Sequence, residues 1–256
     1  MIMRASESIQ CVWDQFNTFP MENLTKIWHY QKGSERKQRE LSLMKEHRDQ
    51  YGLAGNCFDL AIWLLDAFRQ AKIQAFPIGH NLGTVNAHVA VIALDDNGGR
   101  YLCDLGDQWL NPVLIDKKRE NFTSEKLGGF FPGAKIQLIP NEFMVEVRYH
   151  RPNGKESRQI YDTRPIDCDV FLQAAEHSQN LLKPTPLLEC RVPYQTEVAH
   201  WEFTNWISFL STNHGLMKES PLVGIDEWVM KIHEKTGYNK EILLEMLKLY
   251  HAFQNK

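Results

Sequence analysis

The chain has no C-x-x-C pair, no H-x-x-x-H pair and only five cysteines in 256 residues. Cys11, Cys57, Cys103, Cys168 and Cys190 are odd in number and widely spaced, which argues against both a disulfide framework and a structural zinc site. Long apolar runs are missing as well: "AHVAVIAL" (Ala87 to Leu94) stops far short of the roughly 20 residues that span a bilayer. Neither charge sign dominates. A net charge of −3 gives no electrostatic reason to expect nucleic acid or an anionic membrane as the main partner. The opening stretch "MIMRASESIQCVWDQF" has neither the uninterrupted apolar segment nor the small-residue cleavage site of a leader, so a cytoplasmic location with reduced thiols is the expectation. Internal repeats and low-complexity segments are also lacking. What is present, 43% hydrophobic and 24% charged residues, is ordinary globular composition. The length suffices for one large domain or two closely packed ones.

The first third reads as helical, with a short helix up to Phe16, a turn at "NTFPMENL" and a charged stretch from Lys32 to Gln50. That stretch places Leu41 and Met44 at helical spacing, as in a solvated helix with one docked face. After "YGLAGN" comes "CFDLAIWLLDAF", in which Phe58, Ala61, Leu65 and Phe68 recur on one helical face. A strand follows around Lys72 to Ile78. "AHVAVIAL", "DDNGG" and "RYLCDLG" then form a strand, a turn and a strand, which is a β-hairpin. "KIQLIP", "FMVEVRYH" and "KESRQIYDT" alternate as further antiparallel strands, and the tail from Gly224 to Phe253 is two amphipathic helices broken near Gly237. Helices, then strands, then helices is an α+β layout.

The hairpin carries two titratable residues. With Asp95 to Gly99 as an odd-numbered loop and Leu94 opposite Arg100, His88 and Asp104 fall on the same face one diagonal apart; an even-numbered loop would separate them. Asp104 can then orient the His88 ring and stabilise its cation, leaving the other ring nitrogen to take a proton from a thiol. Cys57 stands at the start of its helix, where the N-terminus favours an anion and a neighbouring imidazolium would lower a thiol pKa. A thiolate–imidazolium pair is the expectation, with backbone N–H groups at the turn after Gly55 as candidate oxyanion donors. Taken singly, Cys57 is equally a buried thiol, His88 a core histidine and Asp104 a turn former. Cys103 alternates to the opposite face, toward the core. His80 lacks an acidic partner placed by the hairpin and reads as a surface or loop residue.

The ordered residues Cys57, His88 and Asp104 with their surroundings resemble the arylamine N-acetyltransferases. "LAGNCFDL" is similar to that family's Arg-Gly-Gly-x-Cys-x-Glu-Leu motif, with Leu53 and Ala54 in place of the arginine and first glycine and Asp59 in place of the glutamate. "FPMENL" (Phe19 to Leu24) resembles Pro-Phe-Glu-Asn-Leu, "HVAVIAL" resembles the histidine strand, and "CDLGDQ" resembles Val-Asp-Val-Gly-Phe-Gly. "TRPIDCDVFLQAAEHSQ" is similar to the family's proline-leucine-aspartate segment and the helix after it. The resemblance runs from about Phe16 to at least Gln179.

This resemblance implies a transglutaminase-like core in three parts: a helical domain with the nucleophile (1–80), a β-rich domain with His88 and Asp104 (81–180) and an α/β C-terminal lid (181–256). It implies acetyl transfer from acetyl-CoA, as a substrate that is not tightly bound, through an acyl-Cys57 to a small-molecule arylamine, hydroxylamine or related amine, with no metal. A thiol hydrolase or transamidase on the same core, or a non-catalytic member, is the alternative. Asp107 and Gln108 replace the family's Phe-Gly, and with Trp109 and Phe130 they are the expected pocket residues. An acidic Asp107 at the pocket mouth would suit a polar or cationic acceptor. "GGFFPG" (Gly128 to Gly133) reads as a surface turn whose flexible backbone offers an approach for CoA phosphates.

Overall fold

The computed structural model describes residues 5–255; the first four residues, part of the stretch read for a leader, lie outside them. Helix α1 (Glu7–Asp14) is followed by a two-residue strand β1 (Met21–Glu22), α2 (Leu24–Gln31), α3 (Leu41–Tyr51) and α4 (Cys57–Gln70). Strands β2 (Ala75–His80), β3 (His88–Leu94), β4 (Arg100–Cys103) and β5 (Val113–Leu114) form one antiparallel sheet in sequence order. A second sheet is the meander β6 (Leu127–Phe131), β7 (Ala134–Pro140), β8 (Met144–His150) and β9 (Glu156–Asp162). After α5 (Cys168–Asn180), strands β10 (Leu187–Tyr194), β11 (Glu197–Thr204), β12 (Ile207–Thr212) and β13 (Gly215–Lys218) make a third sheet. The chain ends in α6 (Ile225–Thr236) and α7 (Lys240–Gln254). The early strand β1 joins this third sheet by pairing with β10. The α+β layout is the one read from the sequence. Among the described residues no helix is long and apolar enough to cross a membrane.

Two cores organise the chain. One gathers α1, α4, β2 to β9 and α5 around Trp13, Phe58, Phe68, Ile92, Leu102 and Val147. The other gathers α2, Leu53, β10 to β12, α6 and α7 around Trp28, Trp201, Phe203, Trp228 and Leu247. The site lies at their seam.

Three local readings are corrected. The charged stretch is helical only from Leu41; residues 32–40 run irregularly and bring Arg39 to 3% exposure. Gly128 to Gly133 is strand β6 and its hairpin turn, with Phe130 and Phe131 buried, so it is no free phosphate-binding loop. Strands β10 to β13 fill a region in which no strand was read, although buried Leu188, Cys190, Val192, Ala199, Trp201 and Phe203 alternate at a strand's period of two. On α4, Phe58, Ala61, Leu64 and Phe68 form the buried face and Leu65 is half-buried.

Candidate active site

Asn56 starts α4. Its side chain accepts the backbone N–H of Phe58 (3.0 Å) and Asp59 (3.2 Å), and the Asp59 carboxylate accepts the Asn56 N–H (3.1 Å), closing a capping box. This narrows the expected oxyanion donors. The cap consumes the N–H groups of Phe58 and Asp59, which leaves the N–H of Cys57 as the first-turn donor it does not engage.

Asp59 is also the partner of Arg39 at 3.3 Å, and both side chains are buried. Gln38 and Gln179 donate to the two Asp59 oxygens at 2.8 and 3.2 Å, and Arg39 donates to the Ala54 carbonyl. Gly55 crosses this network at φ +153, where an added Cβ would lie 2.2 Å from an Asp59 oxygen and 2.6 Å from the Arg39 guanidinium. Only a glycine threads that gap. Neither Arg39 nor Gln179 stands out in the sequence, because their burial depends on partners far along the chain.

The hairpin register is Leu94 opposite Arg100 and Val91 opposite Cys103, so the loop is odd-numbered. His88 and Asp104 therefore meet: His88 Nε2 lies 2.7 Å from Asp104 Oδ2. The remaining ring nitrogen, Nδ1, is the one left for Cys57, whose Cβ borders Gly106 beside the His88 Cε1. Gly106 packs against all three. A Cβ there would stand 2.8 Å from the Cys57 Cβ, 3.0 Å from His88 Cε1 and 3.2 Å from Asp104 Oδ1. Burial alone would push the His88 pKa down, but the charges of Asp104 and Asp107 and the bond to Asp104 hold it well above the usual imidazole range.

Asp104 is fully buried and multiply bonded. The Tyr161 hydroxyl donates to its Oδ2 at 2.9 Å and the Asp107 N–H to its Oδ1 at 2.9 Å. Burial and the Asp104 charge keep the Tyr161 phenol protonated, well above its ordinary range, and hence a donor. His80, read as a surface or loop residue, ends β2 directly opposite His88 and is half-buried, with the rings 5.6 Å apart. Burial, then the neighbouring His88, lowers its pKa. Cys103 and Cys190 are buried thiols whose pKa burial pushes up, that of Cys190 to about 12; Cys11 and Cys168 are exposed.

The expected pocket residues do not share one place. Asp107 turns inward. Its Oδ1 is 3.9 Å from His88 Nε2, and its Oδ2 accepts the Tyr149 and Tyr161 hydroxyls at 3.3 Å. Burial, then repulsion from Asp104, pushes its carboxyl up to about 6. It lines a cavity of about 500 Å³ with Tyr149, Glu189, His200 and Glu202, whereas Cys57 opens into a different cavity of about 140 Å³. Gln108 and Trp109 are fully buried and Phe130 is 1% exposed, so the structure places them in the core instead of on a pocket wall. Tyrosines of the second sheet draw Asp107 in, and no local pattern reports that.

Among the described residues, His88, Asp104 and Asp107 are the one group of three metal-ligand side chains whose donor atoms lie within 4.8 Å of one another. A cation there would have to displace the His88–Asp104 bond, and Asp104 already accepts from Tyr161 and the Asp107 amide, so the group is satisfied as a hydrogen-bond network.

No protein-family model and no curated protein matches the sequence. Solved structures do match in fold. Arylamine N-acetyltransferase of Mycobacterium marinum superposes with a TM-score of 0.71 at 12% identity, over 96% of this chain and 91% of that one. The same enzyme in complex with CoA gives 0.67 at 12% identity over the same shares of the two chains. The Mycobacterium tuberculosis enzyme gives 0.70 at 13% identity, over 99% and 95%. Together with the three antiparallel sheets and the helical start, these likenesses establish that the chain has the fold of the arylamine N-acetyltransferases.

Proposed function

We propose that this chain is a thiol acyltransferase that moves an acetyl or related acyl group from coenzyme A to an amine through an acyl-Cys57, with His88 as base and Asp104 as its orienting partner. One observation carries the reading: a thiol residue, an imidazole and a buried carboxylate converge on Gly106, with the imidazole hydrogen-bonded to the carboxylate. The likeness to a CoA-bound acetyltransferase of the same fold supports the choice of donor.

In the first half-reaction the Cys57 proton passes to His88 Nδ1 and the sulfur attacks the thioester carbonyl. The tetrahedral oxyanion is met by the Cys57 N–H, and its collapse breaks the carbonyl–sulfur bond of the donor. The CoA thiolate leaves with the proton from His88. Exchange of one thioester for another needs no nucleotide energy. In the second half-reaction an amine attacks the acyl-sulfur carbon, gives its proton to His88, and Cys57 is expelled and reprotonated. Asp104 holds the ring with Nε2–H toward itself throughout, and Tyr161 fixes Asp104.

Intact-mass spectrometry after incubation with acetyl-CoA tests the donor half-reaction. Acetylation of the wild type and none of Cys57→Ser is the expected result; an unmodified wild type refutes it. Adding an amine then separates transfer from hydrolysis: an acetylated amine marks a transferase, and free acetate formed at the same rate with or without amine marks a thiol hydrolase.

A further inference from the structure

The charge at the Cys57 opening is the reverse of what Asp107 suggests in the sequence. Asp107 faces the other cavity. The 140 Å³ cavity beside the sulfur is lined instead by Lys26 and Lys183, with Asn23, Asn56, Thr84 and Ser178 among its other polar groups and no carboxylate. Lys26 is half-buried, and its ammonium donates to the Leu181 carbonyl at 2.6 Å. Neither lysine belongs to any ion pair among the described residues. Asp59, whose charge acts on Lys26, is already held by Arg39. Burial lowers the Lys26 pKa to about 8, offset in part by Cys57 and reinforced by the like charge of Lys183. A half-buried ammonium with no ion-pair partner is costly, and an anion in the cavity would relieve that cost.

We infer that Lys26 and Lys183 form a carboxylate-recognition site beside Cys57, so that the group brought to the sulfur carries a negative charge a few bonds from the reacting carbon. This rests on the acyl-transfer reading above. The phosphates of CoA are separated from its sulfur by the whole pantetheine arm, so the anion that meets these lysines belongs either to a dicarboxylic acyl group or to an acceptor amine bearing a carboxylate. The cavity is sized for such a small group.

The first test is alkylation of Cys57, which forms the S–C bond, releases iodide and sends the thiol proton to His88 or solvent. Iodoacetate and iodoacetamide differ in charge at nearly the same size. The exposed Cys11 and Cys168 serve as internal references, with sites assigned by peptide mapping. The iodoacetate-to-iodoacetamide rate ratio at Cys57 is expected to exceed that at the reference thiols. It should fall roughly tenfold in Lys26→Gln/Lys183→Gln, the order expected for losing charges about 4 Å away in the water-like dielectric of a cavity open to solvent. Lys26→Arg should retain it, and the exposed Lys183→Gln alone should lower it partway without affecting the fold. A ratio unchanged in the double variant overturns the inference while leaving acyl transfer intact. A Cys57 inert to both reagents overturns both. The second test identifies the source: succinyl-CoA against acetyl-CoA for the donor, and 4-aminobenzoate against 4-aminobenzamide for the acceptor. The anionic member of one pair should lose about tenfold in the double variant, and no loss in either pair overturns the inference.

Discussion

Replacing Gly106 by alanine is the sharpest test of whether Cys57, His88 and Asp104 work as one unit. Carbon–carbon contacts are comfortable at about 3.5–4.0 Å, but the new methyl would lie 2.8 Å from the Cys57 Cβ and 3.0 Å from His88 Cε1. Relief on the cysteine side alone requires a shift of roughly 0.7 Å or more. Asp104, bonded to His88 at 2.7 Å and to Tyr161 at 2.9 Å, cannot yield without breaking its own network. Overpacking of this kind costs about 1–3 kcal/mol of stability, and misplacing reacting groups by about 1 Å costs on the order of 10²-fold in rate. The assay is the single-turnover rate of Cys57 acetylation by intact mass, run beside urea unfolding. Gly128→Ala is the control, because a Cβ at Gly128 meets nothing within 4 Å. A folded Gly106→Ala variant that acetylates at the wild-type rate would show that the close approach of the three side chains has no part in the chemistry.

Removing Arg39 while keeping Asp59 leaves a buried charge without its cation, so Arg39→Gln should cost about 3–5 kcal/mol in urea unfolding. Asn56→Ala removes the cap of α4 and should cost about 0.5–2 kcal/mol, with faster hydrogen exchange at Phe58 and Asp59. Burial and then the Arg39 charge hold His47 down to about 4. Between about pH 6.5 and 4 the unfolded chain therefore binds a proton there that the native one does not, and stability falls as pH drops through that window. His47→Gln should flatten the urea midpoint across it; an unaltered pH profile contradicts the assignment.

The hairpin was legible because its information is local. Counting five loop residues from Asp95 to Gly99 fixes the parity that brings His88 and Asp104 to one side, and the register obeys that count. The helix after Cys57 was legible from its apolar period, whereas the Asn56 cap shows only in the structure. Arg39 was illegible for the opposite reason. Within "KGSERKQRE" it looks like one more solvated charge, and only Asp59 and Ala54 make it a buried one. Asp107 misled in the same way: its neighbour in sequence is the triad, but its direction is set by Tyr149 and Tyr161, more than 40 residues on. Strands β10 to β13 supply the β part of the expected α/β C-terminal portion, and their alternation is local enough to be readable.

The two cores share the loop that presents the nucleophile, and this explains "FPMENL" physically. Glu22 donates its N–H to the Gly55 carbonyl at 2.9 Å while β1 pairs with β10, so the third sheet extends to the residue two before Cys57. Asn23 accepts the Leu187 N–H at 2.8 Å and donates to the Thr185 carbonyl at 2.9 Å. From the C-terminal core the Tyr238 hydroxyl accepts the Ala54 N–H at 2.9 Å and reaches Glu22 at 3.4 Å. The motif thus acts as a clamp, and its glutamate is spent on structure: Glu22 is fully buried and accepts both the N–H and the hydroxyl of Thr25. Tyr238→Phe should then do more than weaken α6 and α7. It strands the buried Ala54 N–H, a loss of about 1–3 kcal/mol, and loosens the chain just ahead of Cys57, so urea stability and the acetylation rate should fall together. If stability falls and the rate per folded molecule holds, the C-terminal core supports the fold but does not position the nucleophile.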